Sequence, residues 1–336
     1  MKVVILYDGV AINWTAEEIS SVTRPVNEIA RILARDGHQV TRVGVKHDLR
    51  WLAKARRADM VFNLCEGING IGRWEDPVAS TMELAGVPFT GAGAWAITVC
   101  HHKGLMNAYL QASGLPVPRW VVPRGRPIAG DFPLPAIVKP AAEDASNGIE
   151  QGSVVTTRSA LMRRVAQLSE TYGEVIVQEY VDGREFAVGF VGDVTLPVSE
   201  IDFGKMPDGA WRILTFSAKW EKGSVDDVGT RPVCPAPISK EAEKRLVTTA
   251  RAAWQLVGGA GYGRVDLRVD RAGRPWILEV NPNPDISDDA GLSAMAAARG
   301  WTYAELVLRI LEGARVATQR RRSVQGVAAV PARATA

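Results

Sequence analysis

The first apolar block, Val3-Val-Ile-Leu6, has no polar interruption and stops at Asp8-Gly9, the pattern of a strand buried on both faces in a parallel sheet. Thr15-Ala-Glu-Glu18 has the spacing of a capping box, and Pro25 can open a helix whose apolar stripe, Ile29, Ile32 and Leu33, leads to a stop at Gly37. Residues 38–45 read as a second strand, residues 52–57 as a helix, and residues 60–64 as a third strand entering the polar loop 65–70. Strands alternating with helices imply a parallel sheet. Loops at the carboxyl ends of such strands carry ligand groups, so those after Leu6 and Leu64 are candidates. Neither holds a Gly-x-Gly-x-x-Gly fingerprint opening a helix. Glu66 and Glu75 could touch a substrate there, or stand as solvated loop acids.

The character changes near Thr98. Residues 101–114 make an amphipathic helix with a glycine stop, and Leu115-Pro-Val-Pro118 punctuates the chain before a new unit. Adjacent helix residues point about 100° apart, so His101 and His102 read as a surface pair rather than as metal ligands. In Ala136-Ile-Val-Lys-Pro140 a lysine closes an apolar strand run, where it must either snorkel to solvent or meet an anion. The small-residue loop 141–148, with Ser146 and its amides, suits phosphate, while Glu143 and Asp144 in that loop weigh against it. A helix over 159–172 precedes a strand over 174–185 that turns between Glu179 and Glu185. Strands at 186–191, 194–196 and 198–203, with a further stretch at 212–216, suggest an antiparallel sheet. The polar segment 217–231 is long enough to be functional or mobile. A helix follows over 239–256, and Thr302 and Glu305 box the last one, with Leu306, Val307, Ile310, Leu311 and Ala314 as its stripe. From about Thr318 the Ala-, Val- and Arg-rich chain reads as a disordered tail.

Residues 263–284 read as a hairpin. Val265, Leu267 and Val269 alternate with Arg264, Asp266 and Arg268, and Trp276, Leu278 and Val280 alternate with Ile277, Glu279 and Asn281. A turn centred near Ala272-Gly273 puts Asp266 opposite Glu279 and Arg264 opposite Asn281; a bulge would shift that register by one. Opposed carboxylates repel and call for a proton or a bound cation. Oxygen-only ligands suit magnesium or manganese, and magnesium reaches proteins through few carboxylates plus substrate phosphates, so a nucleotide is implied. The same alternation would serve the solvated face of an ordinary amphipathic hairpin. Asn281-Pro-Asn-Pro284 favours the site, because it halts the strand and leaves Glu279 and Asn281 at its end.

Composition adds bounds. The 336 residues, 46% hydrophobic and 23% charged, suit a soluble chain of two or three domains. A net charge of +3, much of it around Arg320-Arg-Arg322, argues against nucleic acid. Cys65, Cys100 and Cys234 are too scattered for a disulfide framework or metal site and read as reduced and mostly buried. The short apolar start and the lack of a membrane-length run suggest a cytoplasmic protein without a membrane partner.

Taken in order, Ala136-Ile-Val-Lys-Pro140, Val177-Gln-Glu-Tyr-Val-Asp-Gly-Arg-Glu185, Gly263-Arg-Val-Asp266 and Leu278-Glu-Val-Asn281 resemble an ATP-grasp ligase. Val61-Phe-Asn-Leu-Cys-Glu-Gly67 and Ala85-Gly-Val-Pro-Phe-Thr-Gly91 add support, and the whole is most similar to the D-alanine-D-alanine ligase family. The resemblance implies an α/β and α+β, three-domain ATP-grasp architecture. A Rossmann-like parallel-sheet substrate domain would span residues 1–97, a central lid domain 98–184, a catalytic domain 185–317, and a tail 318–336. It further implies that Lys103 and Lys139 hold ATP phosphates and that Glu179 and Glu185 bind adenine and ribose. Asp266, Glu279 and Asn281 would hold magnesium, Lys219 would reach the terminal phosphate from a mobile loop, and Arg264 would stabilise the tetrahedral intermediate. Ser146 would belong to a lid, and Glu17 would replace the glutamate that binds a substrate amino group. Small amino-acid-like substrates and a possible homodimer are further expectations. The sequence departs from the family at Trp220, where a tyrosine is usual, and at Asp285, where a glycine is usual. Those departures leave room for a ligase acting on another amino acid or a specialised-metabolite precursor, and for a nucleotide-binding module without catalysis.

Overall fold

The structure, a computed structural model, describes residues 1–9 and 14–327. In the amino-terminal unit β1 (Lys2–Asp8) is flanked in parallel by β2 (Gln39–Val45) and β3 (Met60–Leu64), giving the order β2-β1-β3. Crossovers are made by α1 (Ala16–Arg35) and α2 (Arg50–Ala55), and α3 (Glu75–Leu84) follows the third strand. The Thr15 capping box forms, with Glu18 N–H donating to Thr15 Oγ1 at 3.2 Å and Thr15 N–H to Glu18 Oε2 at 2.7 Å. Pro25 does not open the helix as the sequence suggested. It lies inside α1, which begins at the stronger signal, the paired cap.

Next come α4 (Ala94–His101) and α5 (Lys103–Ala112), with a break at His102 in what the sequence suggested was the start of one continuous helix. A four-stranded antiparallel sheet is built from β4 (Trp120–Val121), β5 (Ala136–Pro140), β6 (Val154–Val155) and β7 (Val175–Glu179) in the order β4-β7-β5-β6. One face is covered by α6 (Arg158–Tyr172), whose Leu161 and Leu168 pack against Val138, Val175 and Val177.

The largest sheet is antiparallel. It comprises β8 (Gly183–Val191), β9 (Val194–Thr195), β10 (Ser199–Asp202), and, after α7 (Phe216–Trp220) and α8 (Val225–Gly229), β11 (Arg231–Val233). Beyond α9 (Lys240–Leu256), β12 (Tyr262–Asp270) and β13 (Pro275–Asn281) complete it in the order β11-β10-β8-β12-β13. The stretch 212–216 expected to be extended carries no strand, and the polar segment 217–231 holds two short helices rather than one irregular loop. Thr215 and Ser224 cap them through their side chains. The chain closes with α10 (Gly291–Ala298) and α11 (Tyr303–Val327), which continues past Thr318 where composition had suggested irregular chain. Thr302 and Glu305 form the expected box at its start.

Two buried clusters weld these layers. One joins α4 and α5 through Val99, Cys100, Met106 and Leu110 to the large sheet and to Trp254 of α9. The other joins Ile5 and Phe62 of the parallel sheet to Tyr262, Leu292 and Leu306. Trp254 stacks on Phe190 with ring centroids 5.7 Å apart, and its far edge fills the space above Gly263, where a Cβ would stand 2.2 Å from Trp254 Cη2. Gly263→Ala should therefore overpack this contact and cost about 1–3 kcal/mol. A thermal melt checks it, and an unshifted Tm would show that the indole has room to move.

Candidate active site

The hairpin pairs as its alternation predicts. Asp266 lies opposite Glu279 and Arg264 opposite Asn281, and the register then shifts so that Leu267 faces Ile277. The bulge thus leaves Leu278 as the extra residue on the turn side of the acid pair. Asp270 sets the turn, its Oδ1 accepting from the amides of Ala272 and Arg274 at 2.9 Å each. Arg264 grips Asp266 with Nε at 2.7 Å and a second nitrogen at 2.9 Å. The Asp266 charge raises the guanidinium's pKa above its already high value, against the opposing effect of burial. Asn281 Oδ1 accepts from the Asn283 amide at 3.0 Å, holding the strand end just where Pro282 and Pro284 stop the ladder.

Two buried lysines face this pair. Lys103, the first residue of α5, is 4% exposed, with Nζ 3.4 Å from Glu279 Oε1 and 3.3 Å from Asp144 Oδ1. It also donates to the Glu143 carbonyl. Burial disfavours its charge, but Glu279 and Asp144 outweigh burial and hold the pKa above the ordinary lysine value. Lys139, on β5, is 8% exposed, and among the described residues no carboxylate lies within 4.0 Å of its ammonium. Burial, then the Lys103 charge, push it down to about 8, against weaker support from Glu279 and Glu185. A buried ammonium without a direct partner is a receptor for an anion.

Burial raises the pKa of Glu279, and the neighbouring Asp144 and Asp266 charges add to that, while Lys103 and Lys139 oppose it. Asp144 moves the other way: burial alone would raise it, but Lys103 and His101 hold it below the usual carboxylate range. The oxygen-only set Asp266, Glu279 and Asn281 fits a hard divalent cation, because a cation between opposed carboxylates relieves the repulsion the fold builds in.

The loop that reaches Lys103 through Glu143 and Asp144 is tied to a second segment. Ser146, in the left-handed region with φ 64°, donates Oγ–H to the Leu214 carbonyl at 2.9 Å. Phe216 N–H donates to the Ile149 carbonyl at 2.9 Å, and Trp220 Nε1–H to the Ala145 carbonyl at 3.1 Å. The loop 141–151 is thereby tied to the segment bearing α7. Lys219 of α7 is half-buried; burial, then Arg264, lower its pKa, with Glu279 and Asp266 opposing.

The parallel sheet supplies an acidic wall. Asp8 accepts from the amides of Asn69 and Gly70 at 2.7 Å each. Glu66 is reachable by solvent but crowded by protein in the cleft. That partial desolvation, with the charges of Asp285, Asp144 and Asp8, raises its pKa to about 8. Glu75 accepts from Asn283 Nδ2 at 2.9 Å, and Asn283 Oδ1 accepts from the Tyr262 hydroxyl at 2.7 Å.

Of the residues proposed from sequence, Lys103, Lys139, Lys219, Arg264, Asp266, Glu279 and Asn281 share one electrostatic neighbourhood. Glu185, on β8, is held instead by Arg268, with 2.9 Å between Nη2 and Oε2, and Glu179 sits half-buried at the end of β7. Ser146 is engaged with the Leu214 carbonyl, and Glu17 is exposed on the first turn of α1. The surface reading of the histidine pair fails for His101: the helix break separates the two rings and leaves His101 9% exposed, while His102 is solvent-accessible. Sequence reasoning also missed Asn283 and Tyr262, and took Asp144 as evidence against a phosphate loop. Its partner Lys103 is 41 residues away, so no local signal could link them.

This fold, with facing carboxylates and buried lysines gathered in one cleft, is that of an ATP-grasp ligase. The sequence pattern described as "D-ala D-ala ligase C-terminus" matches residues 110–312. A D-alanine--D-alanine ligase of Chromohalobacter salexigens is 33% identical over 77% of this chain and 78% of its own length. Another, from Gluconobacter oxydans, is 32% identical over 91% and 96%. An uncharacterized protein, y4sG of Sinorhizobium fredii, is 32% identical over 77% and 75%. The crystal structure of D-alanine--D-alanine ligase from Bacillus anthracis, 20% identical, superposes with a TM-score of 0.78 over 96% of this chain and 99% of that one. The chain belongs to the D-alanine-D-alanine ligase family.

The Lys139 ammonium gives a pH test. It is charged below pH 8 and neutral above, so an anion that binds the charged form raises its pKa and takes up a proton in that range. Affinity for a nonhydrolysable ATP analogue should be flat below pH 7.5 and fall by up to about tenfold per unit above pH 8. In Lys139→Arg the fall should vanish; calorimetry in two buffers of different ionisation enthalpy reads both effects.

Proposed function

We propose that the protein joins two small amino acids, D-alanine first among them, by activating the carboxylate of one with ATP and passing it to the amine of the other. The observation that carries this reading is the meeting of the Arg264–Asp266 and Glu279–Asn281 hairpin with buried Lys103 and Lys139 in one cleft. In this reading residues 1–97, 98–184 and 185–317 are the substrate, lid and catalytic domains. The carboxylate oxygen attacks the terminal phosphorus of ATP and ADP leaves; the amine then attacks the acyl carbon, phosphate leaves and the amine loses its proton. Magnesium or manganese, held by Asp266, Glu279 and Asn281, supplies charge neutralisation of the triphosphate when bound.

The chain's own groups supply the rest. Lys103 and Lys139 hold phosphate oxygens, and Glu179 and Glu185 take the adenosine end. Lys219 reaches the transferring phosphate from the lid, whose ties through Ser146 and Trp220 exclude the water that would hydrolyse the acyl phosphate. Arg264 stabilises the oxyanion formed when the amine attacks. For the first substrate's ammonium the family resemblance offers Glu17, and Glu75 on the acidic wall offers a second carboxylate. A KM rise in Glu17→Gln without one in Glu75→Gln decides for Glu17. A nucleotide-using enzyme with free thiols at Cys65, Cys100 and Cys234 suits the cytoplasm, and among the described residues no helix is long and apolar enough to cross a membrane. A homodimer completes the reading.

A second substrate class is favoured by one feature: Asp285 stands where the family usually has glycine, and adds a charge to the wall of Asp8, Glu66 and Glu75. Crowded carboxyls, Glu66 among them protonated until a cation arrives, suit an amino acid with an additional cationic group. Phosphate release across D- and L-amino acids, with the mass of each product, separates the two. D-Alanyl-D-alanine as the main product supports the first, and a product containing a diamino acid supports the second. Release with no amino acid would overturn the ligase reading.

Glu279→Gln and Asp266→Asn should each lower turnover by at least about 10²–10³-fold while the thermal melt stays cooperative. Near-normal turnover in either would remove the cation assignment. Lys219→Ala should lower kcat more than it raises KM, which steady-state kinetics with varied ATP will read.

A further inference from the structure

We infer that Glu75, His101 and Asp144 form a site for a divalent transition-metal cation, separate from the Asp266, Glu279 and Asn281 set. The three come from different elements: Glu75 opens α3, His101 ends α4, and Asp144 lies in the loop after β5. One ligand atom from each falls within 4.8 Å of the others.

His101 is the observation that points to a ligand. Its ring is 9% exposed, yet neither Nδ1 nor Nε2 has a hydrogen-bond partner among the described residues. Buried polar atoms are nearly always satisfied, so an imidazole with two open nitrogens marks a missing partner. Nδ1 faces Asp144 Oδ2 at 3.5 Å, too far for a hydrogen bond and close enough for a shared cation. The other oxygens of both acids are already committed: Lys103 takes Asp144 Oδ1 at 3.3 Å, and Asn283 takes Glu75 Oε1 at 2.9 Å. Each carboxylate therefore keeps one oxygen for a ligand.

The donor set selects the ion. One imidazole nitrogen with two carboxylate oxygens favours zinc, cobalt or manganese over magnesium, which prefers oxygen alone. With bonds of about 2.1 Å, tetrahedral donors stand about 3.4 Å apart, the spacing that His101 Nδ1 and Asp144 Oδ2 already have at 3.5 Å, so binding draws the remaining donor in by up to about 1.4 Å. Three protein ligands leave a position open to water or substrate. Bound there, the cation would clip α3 on the substrate side to the loop 141–148 of the lid.

Cobalt(II) alone tests the proposal. It is titrated into the full-length protein without nucleotide and with excess magnesium, following its visible ligand-field bands and the imidazole resonances. We expect stoichiometric binding that magnesium does not displace and zinc does, weakened at least tenfold in His101→Gln and in Asp144→Asn, and retained in Asp266→Asn. His101→Ala serves as the second variant should the glutamine protein fail to fold. No binding, displacement by magnesium, or unchanged affinity in the His101 and Asp144 variants would overturn it, leaving His101 and Asp144 as a plain ion pair.

Discussion

The opposition of Asp266 and Glu279 across two strands is the constraint to which the rest of the site answers. Two carboxylates on one face of a ladder repel, and burial enlarges the repulsion by weakening solvent screening. Arg264 neutralises one acid with a two-pronged contact, and Lys103 approaches the other. What they leave is a cleft with partially compensated charge, in which buried Lys139 has no carboxylate partner within 4.0 Å among the described residues.

Holding that charge in place requires rigid neighbours. Tyr262, fully buried at the start of β12, donates its hydroxyl to Asn283 Oδ1 at 2.7 Å, with the Asn63 carbonyl of the parallel sheet 3.3 Å away. The strand that carries Arg264 and Asp266 is thus linked through Asn283 to Glu75 of the amino-terminal unit. Just before it, Gly261 comes so near Gly91 that an added Cβ would lie 2.8 Å from backbone atoms, and its φ of 69° also favours glycine. Backbone meets backbone there, and the two units share one core through Phe62, Tyr262 and Leu306.

The segment bearing α7 is held by another kind of contact. Its ties to the loop 141–151 are mostly hydrogen bonds to main-chain carbonyls. Arg268 is 3% exposed and paired with Glu185. Its guanidinium also donates to the carbonyls of Val181 and Arg212. Removing one partner of such a pair strands a buried charge, at a typical cost of about 3–5 kcal/mol.

Local pattern determined a great deal of this protein. Alternation with period two gave away the hairpin and its facing acids, because adjacent antiparallel strands leave little freedom once the turn is known. The caps at Thr15 and Thr302 were legible because their partners lie three residues away. The family motifs told which lysines and carboxylates belong together, although no spacing in the chain relates Lys103 to Glu279. Only the tertiary structure decided the rest. The bulge at Leu278 depends on how β13 pairs with its neighbour, the burial of His101 on a helix break, and the pairing of Asp144 with Lys103 on a loop folding back over α5. A charged side chain carries the same local pattern whether it meets solvent or a partner. Which it meets is set by contacts between residues far apart in sequence, and those exist only once the sheets have packed.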